Sequence, residues 1–390
     1  MVSGTEYKPN KLTLVALLVS SMLMLMGGAA VAPALPLINE VFPDQDFLVS
    51  LIITLPSLVI AIVGFGMGAL ADKFGKVRVL VLSLALFTVS GVISFFFDNL
   101  TYILLARAVL GIGLAGVSTS VTALIAEYYT GINRVKVMSY QSAAIGVGIL
   151  LLEYTGGTLA EISWKEPFLV YLVGLPMMLL VIFSMKEPIA KRDSSGSAPA
   201  VKANGKIVAA CYAAAFLMCM MAFLMPTKAT FYLEGIGVSA SMMGLFLGIH
   251  GIVNCCFSLM YRRFNSVIPP FKLMSLGFIL MGVGLCIPAF DGSVEAALGM
   301  LLLTGMAMGM ITPSVVNTLA TQVTNKSSGK IMGGYATCLN LGQFSISVIS
   351  VPLLAAVGQS YQMMFASIGI IAFILVPVYL SLGLRFDKTL

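Results

Sequence analysis

Twelve long runs of apolar residues restrict the possible fold more than any other feature of the sequence. Each run is close to the roughly 20 residues that one helical crossing of a bilayer requires. In lipid, backbone N–H and C=O groups must bond within the protein, so each run is predicted to be a helix. We therefore expect an all-α membrane protein with twelve transmembrane helices. The runs span residues 12–38, 48–71, 78–97, 101–126, 138–160, 168–185, 207–232, 240–261, 271–290, 294–319, 331–357 and 361–384.

The composition excludes an ordinary soluble protein. Apolar residues make up 59% of the 390 residues and charged residues only 10%, whereas soluble domains contain about 45–50% and about 25% of these classes. The net charge of +6 comes from basic loops, so we expect the lipid bilayer as a partner and no nucleic acid.

The positions of the basic residues test the number of spans. With the N-terminus placed in the cytoplasm, 19 of the 22 Lys and Arg residues fall on the cytoplasmic side and only Lys165 falls outside. Arg107 and Lys228 lie within spans. This asymmetry follows the positive-inside rule. We expect a multi-pass protein of the inner or plasma membrane with both termini in the cytoplasm.

The chain divides into two halves around one polar segment. Residues 186–206 are rich in Ser, Gly, Ala and Pro, which is typical of a flexible linker. We expect six-helix bundles at 1–185 and 207–390, with this cytoplasmic linker between them. The halves also resemble each other at an offset of 194 residues, as in the pair Gly111 and Gly305. Such repeats are how many transporters build two halves around a central site.

The loop between spans two and three reads GALADKFGKVRVL from residue 68. It resembles the pattern Gly-x-Leu-Ala-Asp-Arg-x-Gly-Arg-Lys-x-x-Leu of the major facilitator superfamily. The resemblance implies a latch that holds the two halves together in one state; a basic loop that only sets orientation is the alternative. Gly68 would let a neighbouring helix approach closely, and Gly75 would allow a tight turn. Asp72 would pair with a base of the loop or accept hydrogen bonds from a helix N-terminus. The latch residues are Gly68, Asp72, Lys73, Gly75, Lys76 and Arg78.

Spans four and five extend the resemblance to the twelve-span drug:proton antiporter branch of that family. Span four contains RAVLGIGLAG, and residues 148–157 read GILLLEYTGG, where the branch has Gly-x-x-x-Gly-Pro-x-x-Gly-Gly. The first and the last two glycines are kept, but Leu152 and Glu153 replace the central Gly-Pro. Glu127 and Arg134, on either side of the following loop, are expected to form a cytoplasmic ion pair.

Glu153 is the one acid deep within any predicted span. A charge at the bilayer centre costs at least about 2.5–3.5 kcal/mol, so it needs a partner or a wet cavity. Arg107 in span four lies at a similar depth, and we expect the two to face each other. The pair is either a structural link between helices or a proton-coupling site, for which His250 is a further candidate as a relay. A satisfied core histidine is the alternative for His250.

Other polar residues of the spans are candidates for a substrate cavity. Lys228 would either face the cavity or extend to the outer surface. The amides of the remaining candidates would bind a ligand or link helices to each other. These candidates are Asn254, Asn317, Asn340 and Gln343. Because Arg107 and Lys228 outweigh Glu153, the embedded charge of +1 favours a neutral, zwitterionic or anionic substrate.

The function that we predict is proton-coupled efflux of small amphipathic compounds by alternating access, in the manner of multidrug antiporters. Two alternatives remain: an importer or facilitator of an organic anion, and a membrane sensor or scaffold that moves no solute. The sequence has one histidine, no loop cysteine and no phosphate-binding Gly-x-x-x-x-Gly-Lys motif. We therefore expect no enzyme activity, metal or cofactor, and a monomer whose partners are a small-molecule substrate and protons.

Overall fold

The computed structural model describes residues 9–188, 204–322 and 328–386, and the regular structure in these ranges is helical. Twelve helices follow one another in these ranges. Within the described ranges, eleven are each long and apolar enough to cross a membrane, and the two segments of the first helix make a twelfth span when taken together. The helices are Lys11–Met22 with Gly27–Val41 (α1), Asp46–Phe74 (α2), Lys76–Phe96 (α3), Leu100–Tyr128 (α4), Gly131–Ala160 (α5), Glu166–Ser184 (α6), Gly205–Gly235 (α7), Ala240–Asn265 (α8), Pro270–Ala289 (α9), Val294–Thr321 (α10), Ser328–Ala356 (α11) and Tyr361–Phe386 (α12).

The predicted fold class and the order of the twelve spans are confirmed. The largest difference in a helix start is in α5, which begins at Gly131 rather than near residue 138. Its first turns contain Asn133, Arg134 and Lys136, so apolarity does not mark them although they are helical. The predicted linker at 186–206 lies mostly outside the described residues, and the exact bundle boundaries stay a prediction.

The outer surface of the helices is apolar, as a surface in contact with lipid should be. Phe183, Leu384 and Ile62 expose 84%, 74% and 69% of their surface, respectively. Apolar patches of this kind are rare on soluble monomers. The twelve helices therefore bury their backbone polar groups internally and present side chains compatible with acyl chains.

The first helix of each half is interrupted. The two segments of α1 are bent by 48° from each other, with a 3₁₀ turn at Leu23–Leu25. In α7 the helix widens into a π turn at Met225–Ala229, where Pro226 cannot donate a backbone hydrogen bond. Interrupted helices at corresponding positions of two halves mark the binding site in many transporters.

The most extensive contacts between the halves in the described residues are made by α2 with α11 and by α5 with α8. The hydroxyls of Thr54 and Ser347 are 2.7 Å apart, and Ser57 Oγ donates to Gln343 Oε1 at 2.7 Å. Between α5 and α8 the backbones themselves touch. A Cβ added at Gly157 would lie 2.3 Å from the carbonyl oxygen of Ala240, so this interface depends on the missing side chain.

The helix ends define two faces of the molecule. We call the end that carries Lys76 and Arg134 the basic face, and the end that carries Asp98 and Glu161 the acidic face. At the acidic face, Trp164 lies edge-on to Phe42 of α1, with ring centroids 5.7 Å apart. The orientation of the basic face toward the cytoplasm stays a prediction.

Candidate functional site

A cavity of about 100 Å³ lies between the two halves, close to the interruptions of α1 and α7. Helices α1, α2 and α5 form one side of it, and α7, α8 and α10 form the other. Its polar lining residues are Glu153, His250 and Asn254; much of the rest is apolar, with Ile53 and Phe223 among the lining residues. The structure therefore brings three of the predicted site residues together in one place.

Glu153 is the acid of this cavity. Its side chain is 6% exposed, and within the described residues Oε2 is buried without a hydrogen-bond partner. Helix α8 passes very close to its backbone, since a Cβ added at Gly244 would lie 2.2 Å from the carbonyl oxygen of Glu153. The carboxyl group is thus held where the two halves meet.

His250 and Asn254 reach the cavity from α8. They are four residues apart, so they lie on one face of the helix. His250 Nε2 is buried, and no hydrogen-bond partner for it is found in the part of the chain that the structure describes. Nε2 is therefore not satisfied by a protein group among the described residues, and the role of His250 as a relay stays a prediction.

Arg107 does not face Glu153, and the predicted ion pair is not formed among the described residues. Its guanidinium lies over the rings of Phe168 and Tyr171 of α6, 4.8 and 4.6 Å from their centroids. The side chain is fully buried there. The Tyr171 hydroxyl also donates to the carbonyl oxygen of Gly27 at 3.2 Å. Helix α6 therefore holds Arg107 by the stacking of two aromatic rings on its guanidinium and not through a carboxylate.

The interrupted part of α1 explains why the pair does not form. Gly27 contacts Tyr171 on one side, and Ala30 contacts Gly156 of α5 on the other, where an added Cβ would lie 1.9 Å from the Ala30 oxygen. Helix α1 therefore contacts both α6, which holds Arg107, and α5, which carries Glu153. Arg107 and Glu153 were expected at a similar depth in the membrane, but they do not lie on the facing sides of their helices.

Lys228 is neither at the surface nor in the cavity lining. It is 2% exposed, with its ammonium 5.3 Å from the ring centroid of Phe231. Asp46, in the first turn of α2, is the acid that acts on it electrostatically. Both alternatives considered from the sequence for this lysine differ from the observed position.

The remaining amide candidates lie outside the cavity and bond to the protein. Gln343 accepts from Ser57 across the halves, and Asn340 donates to the carbonyl oxygen of Ala336 in its own helix at 2.8 Å. Asn317 bonds to Tyr261 of α8. For Gln343 and Asn317 these contacts match the helix-linking alternative.

At the basic face, Lys76 is the centre of the loop motif. Its Nζ lies 3.2 Å from Asp72 and also contacts Glu127. The pairing of Asp72 with a base of the loop is as expected. Glu127 pairs with Lys76, however, so the predicted ion pair between Glu127 and Arg134 is corrected: the loop lysine lies nearer than the exposed arginine at the start of α5.

Glu187, which follows α6, is a residue of this motif site that sequence reasoning missed. It accepts from the backbone N–H of Val77 at 3.0 Å and also from that of Lys76, at the N-terminus of α3. Gly75, with φ of +101°, makes the turn, and a Cβ there would lie 2.8 Å from Glu187 Cδ. The available signal was an acid placed just after the sixth apolar run, at the face that carries the motif.

The other motif residues have weaker contacts. A Cβ added at Gly68 would make an ordinary 3.7 Å contact with Thr119, so the predicted close helix approach is wrong there. Lys73 lies over the ring of Phe74, and Arg78 is exposed. All of the contacts described for the motif are within the first half, and its role as a latch between the halves stays a prediction.

A contact between the halves lies instead at the acidic face. Glu161, which ends α5, accepts from the backbone N–H of Ser241 at 3.3 Å, in the first turn of α8. Hydrogen bonds from Ser241 lower the pKa of the Glu161 carboxyl group. A carboxylate is favourable at the positive end of a helix dipole, so this residue joins the two halves at the end opposite the motif.

The family model described as the Major Facilitator Superfamily matches residues 17–260 and 208–388. The chain belongs to the major facilitator superfamily. Proteins of this family are transporters rather than enzymes, and the chain shares their multi-pass membrane architecture.

Curated relatives of the chain include drug-resistance proteins. It is 35% identical over 118 residues to the quinolone resistance protein NorA of Staphylococcus aureus, which is 30% of either chain. It is 27% identical over 213 residues to multidrug resistance protein 1 of Bacillus subtilis strain 168, or 54% of this chain and 55% of that protein. The matched regions thus span less than two thirds of these relatives.

Solved structures show the same fold over almost the whole chain. A D-xylose–proton symporter has a TM-score of 0.76 at 16% identity, covering 94% of this chain and 96% of its own. A mutant of the nucleoside transporter NupG has a TM-score of 0.78 at 12% identity, covering 95% and 99%. At such identities the likeness concerns the fold alone.

Proposed function

We propose that this transporter exports small amphipathic compounds in exchange for protons by alternating access, with Glu153 as the proton-binding carboxyl group. The observation that carries the proposal is the position of this acid, buried between the halves with Oε2 unpartnered. A buried charge without a partner is costly. A proton or a positively charged substrate group would each remove that cost, so the two would compete for one carboxylate.

The cavity changes the class of substrate that we expect. The preference for neutral, zwitterionic or anionic compounds depended on counting Arg107 and Lys228, and neither is among the residues that line the cavity. In the described part of the lining, Glu153 is the formally charged residue. We therefore propose neutral or basic amphipathic compounds, which suit a small apolar cavity with one carboxyl group. The names of the two resistance proteins support export.

The organic-anion importer is less well supported. It required Arg107 and Lys228 as clamps around a negative group, but aromatic rings hold both side chains outside the cavity lining. The sensor or scaffold alternative predicts no flux, and a transport assay decides it.

The test is transport of ethidium, a fluorescent cation, into proteoliposomes with an acidic lumen. The native protein should accumulate ethidium when the gradient is imposed and should stop when the gradient is collapsed. Glu153→Gln removes the titrating group while keeping its size, and should reduce gradient-driven uptake by at least tenfold.

Glu295→Gln is the matched control, because Glu295 is exposed in the first turn of α10 and should transport as the native protein does. Gradient-driven uptake that survives Glu153→Gln would remove Glu153 from the mechanism. Movement of ethidium across the membrane in the same direction as the protons would contradict antiport.

A further inference from the structure

The single histidine of the chain shares the cavity with Glu153 but belongs to the other half. His250 lies on α8 of the second half, and Glu153 on α5 of the first. Each has one buried polar atom without a hydrogen-bond partner in the described residues, Nε2 and Oε2 respectively. Buried polar atoms are nearly always bonded, so two unpartnered ones in one cavity require an explanation.

Among the described residues that line the cavity, Glu153 and His250 are the titratable side chains. The elements around His250 contribute apolar lining or bare backbone: α1, α2 and α7 add Gly28, Ile53 and Phe223, and α10 adds Met308. Glu153 on α5 is the one charged group among the described residues that faces the histidine across this space.

Water can connect the two groups. Glu153 and His250 both line this cavity, but Oε2 of the first and Nε2 of the second are not hydrogen-bonded to each other, because each lacks a partner among the described residues. The cavity volume of about 100 Å³ accommodates several water molecules, since one needs roughly 10–15 Å³ and a few polar partners.

We propose that His250 is a second proton-binding residue of this transporter, exchanging a proton with Glu153 through water in the cavity. The proton leaves the carboxyl oxygen of Glu153, and a proton joins Nε2 of the neutral imidazole. A neutral pair thereby becomes a carboxylate and an imidazolium, with no change in total charge. Its part in transport rests on the proposed function, whereas the proton exchange itself does not.

Because the two groups belong to different halves, separation of the halves would weaken their attraction. The charge-separated form is therefore favoured while α5 and α8 are in contact. Whether the proton is on Glu153 or on His250 therefore changes how strongly the two halves attract each other, which a single carboxyl group could not do.

The test is NMR spectroscopy of the full-length protein labelled at histidine and purified without a histidine tag. One histidine gives one ring signal, and we expect it to titrate as the pH is lowered, with a midpoint set by the burial of the ring and by Glu153. In Glu153→Gln the midpoint should move to lower pH by about one unit, because the negative charge across the cavity is lost. Glu295→Gln should leave the midpoint unchanged.

A ring that stays neutral until the protein unfolds in acid, or a midpoint that is the same in native protein and Glu153→Gln, would overturn the proposal. Glu153→Asp keeps the charge and should restore a titration close to the native one, which separates loss of charge from loss of fold. None of these measurements requires transport. If the ethidium assay fails but the histidine midpoint still shifts in Glu153→Gln, the proposed function is rejected and this inference stays intact.

Discussion

At the scale of single residues, Gly75 carries two requirements at once. Its φ of +101° suits glycine, and the space that a side chain would occupy holds the carboxyl group of Glu187. The carboxyl group in turn caps the N-terminus of α3. The turn and the cap therefore depend on each other.

Gly75→Ala should destabilise the protein by about 1–2 kcal/mol from the backbone conformation alone. Displacement of Glu187 would add to this. The measurement is the midpoint of thermal unfolding of the purified protein, which should fall. Gly66→Ala is the control, because nothing lies within 4 Å of the added methyl group in α2, and its midpoint should stay equal or rise. An unchanged midpoint in Gly75→Ala would mean that this loop is not folded as described.

At the scale of helices, the ends of α5 and α8 form a contact that depends on charge. Glu161 accepts as a carboxylate, and its pKa is lowered by hydrogen bonds from Ser241. A lowered carboxyl pKa means that the contact is fully present above the ordinary glutamate value. It is lost as the pH falls through the lowered one.

Glu161→Gln should therefore open the acidic face at neutral pH, and the native protein should open there only below the ordinary pKa of glutamate. Spin labels at positions 162 and 242, both exposed, would measure the separation of α5 and α8 in both proteins. Glu295→Gln, on the same face, should keep the native distance. A distance that is the same in Glu161→Gln and the native protein would show that the backbone contacts at Gly157 hold this end closed by themselves.

At the scale of the whole molecule, α2 and α11 join the halves through short side chains. Thr54 and Ser347 are fully buried with their hydroxyls 2.7 Å apart, a separation compatible with a disulfide between cysteines at these positions. The Thr54→Cys and Ser347→Cys double variant should lose at least nine tenths of its ethidium transport on oxidation and recover it on reduction.

Each single cysteine variant should transport whether oxidised or reduced, which controls for the six native cysteines. Full transport by the cross-linked protein would show that the halves need not separate at α2 and α11. It would then contradict alternating access by movement of one bundle against the other.

The sequence predicted the number and order of helices because each crossing has its own apolar run. It also predicted the turn at Gly75 and that the embedded Glu153 would need a partner or a cavity, and the residue does line a cavity. It did not predict which side of α4 carries Arg107, because that rotation is set by packing. Gly113, for example, lies against the backbone of α3, where a Cβ would be 2.9 Å from the amide nitrogen of Phe87. The interruption of α1, where it contacts α5 and α6, likewise has no signal in apolarity.

The aromatic contact between Trp164 and Phe42 has a practical consequence. Trp164 is the one tryptophan of the sequence, so the ultraviolet-excited emission of the indole comes from a single cluster beside the end of α1. Withdrawal of α1 from that cluster would change the wavelength and intensity of the emitted light. The protein therefore contains an intrinsic optical reporter of how its acidic end opens, and it needs no attached dye.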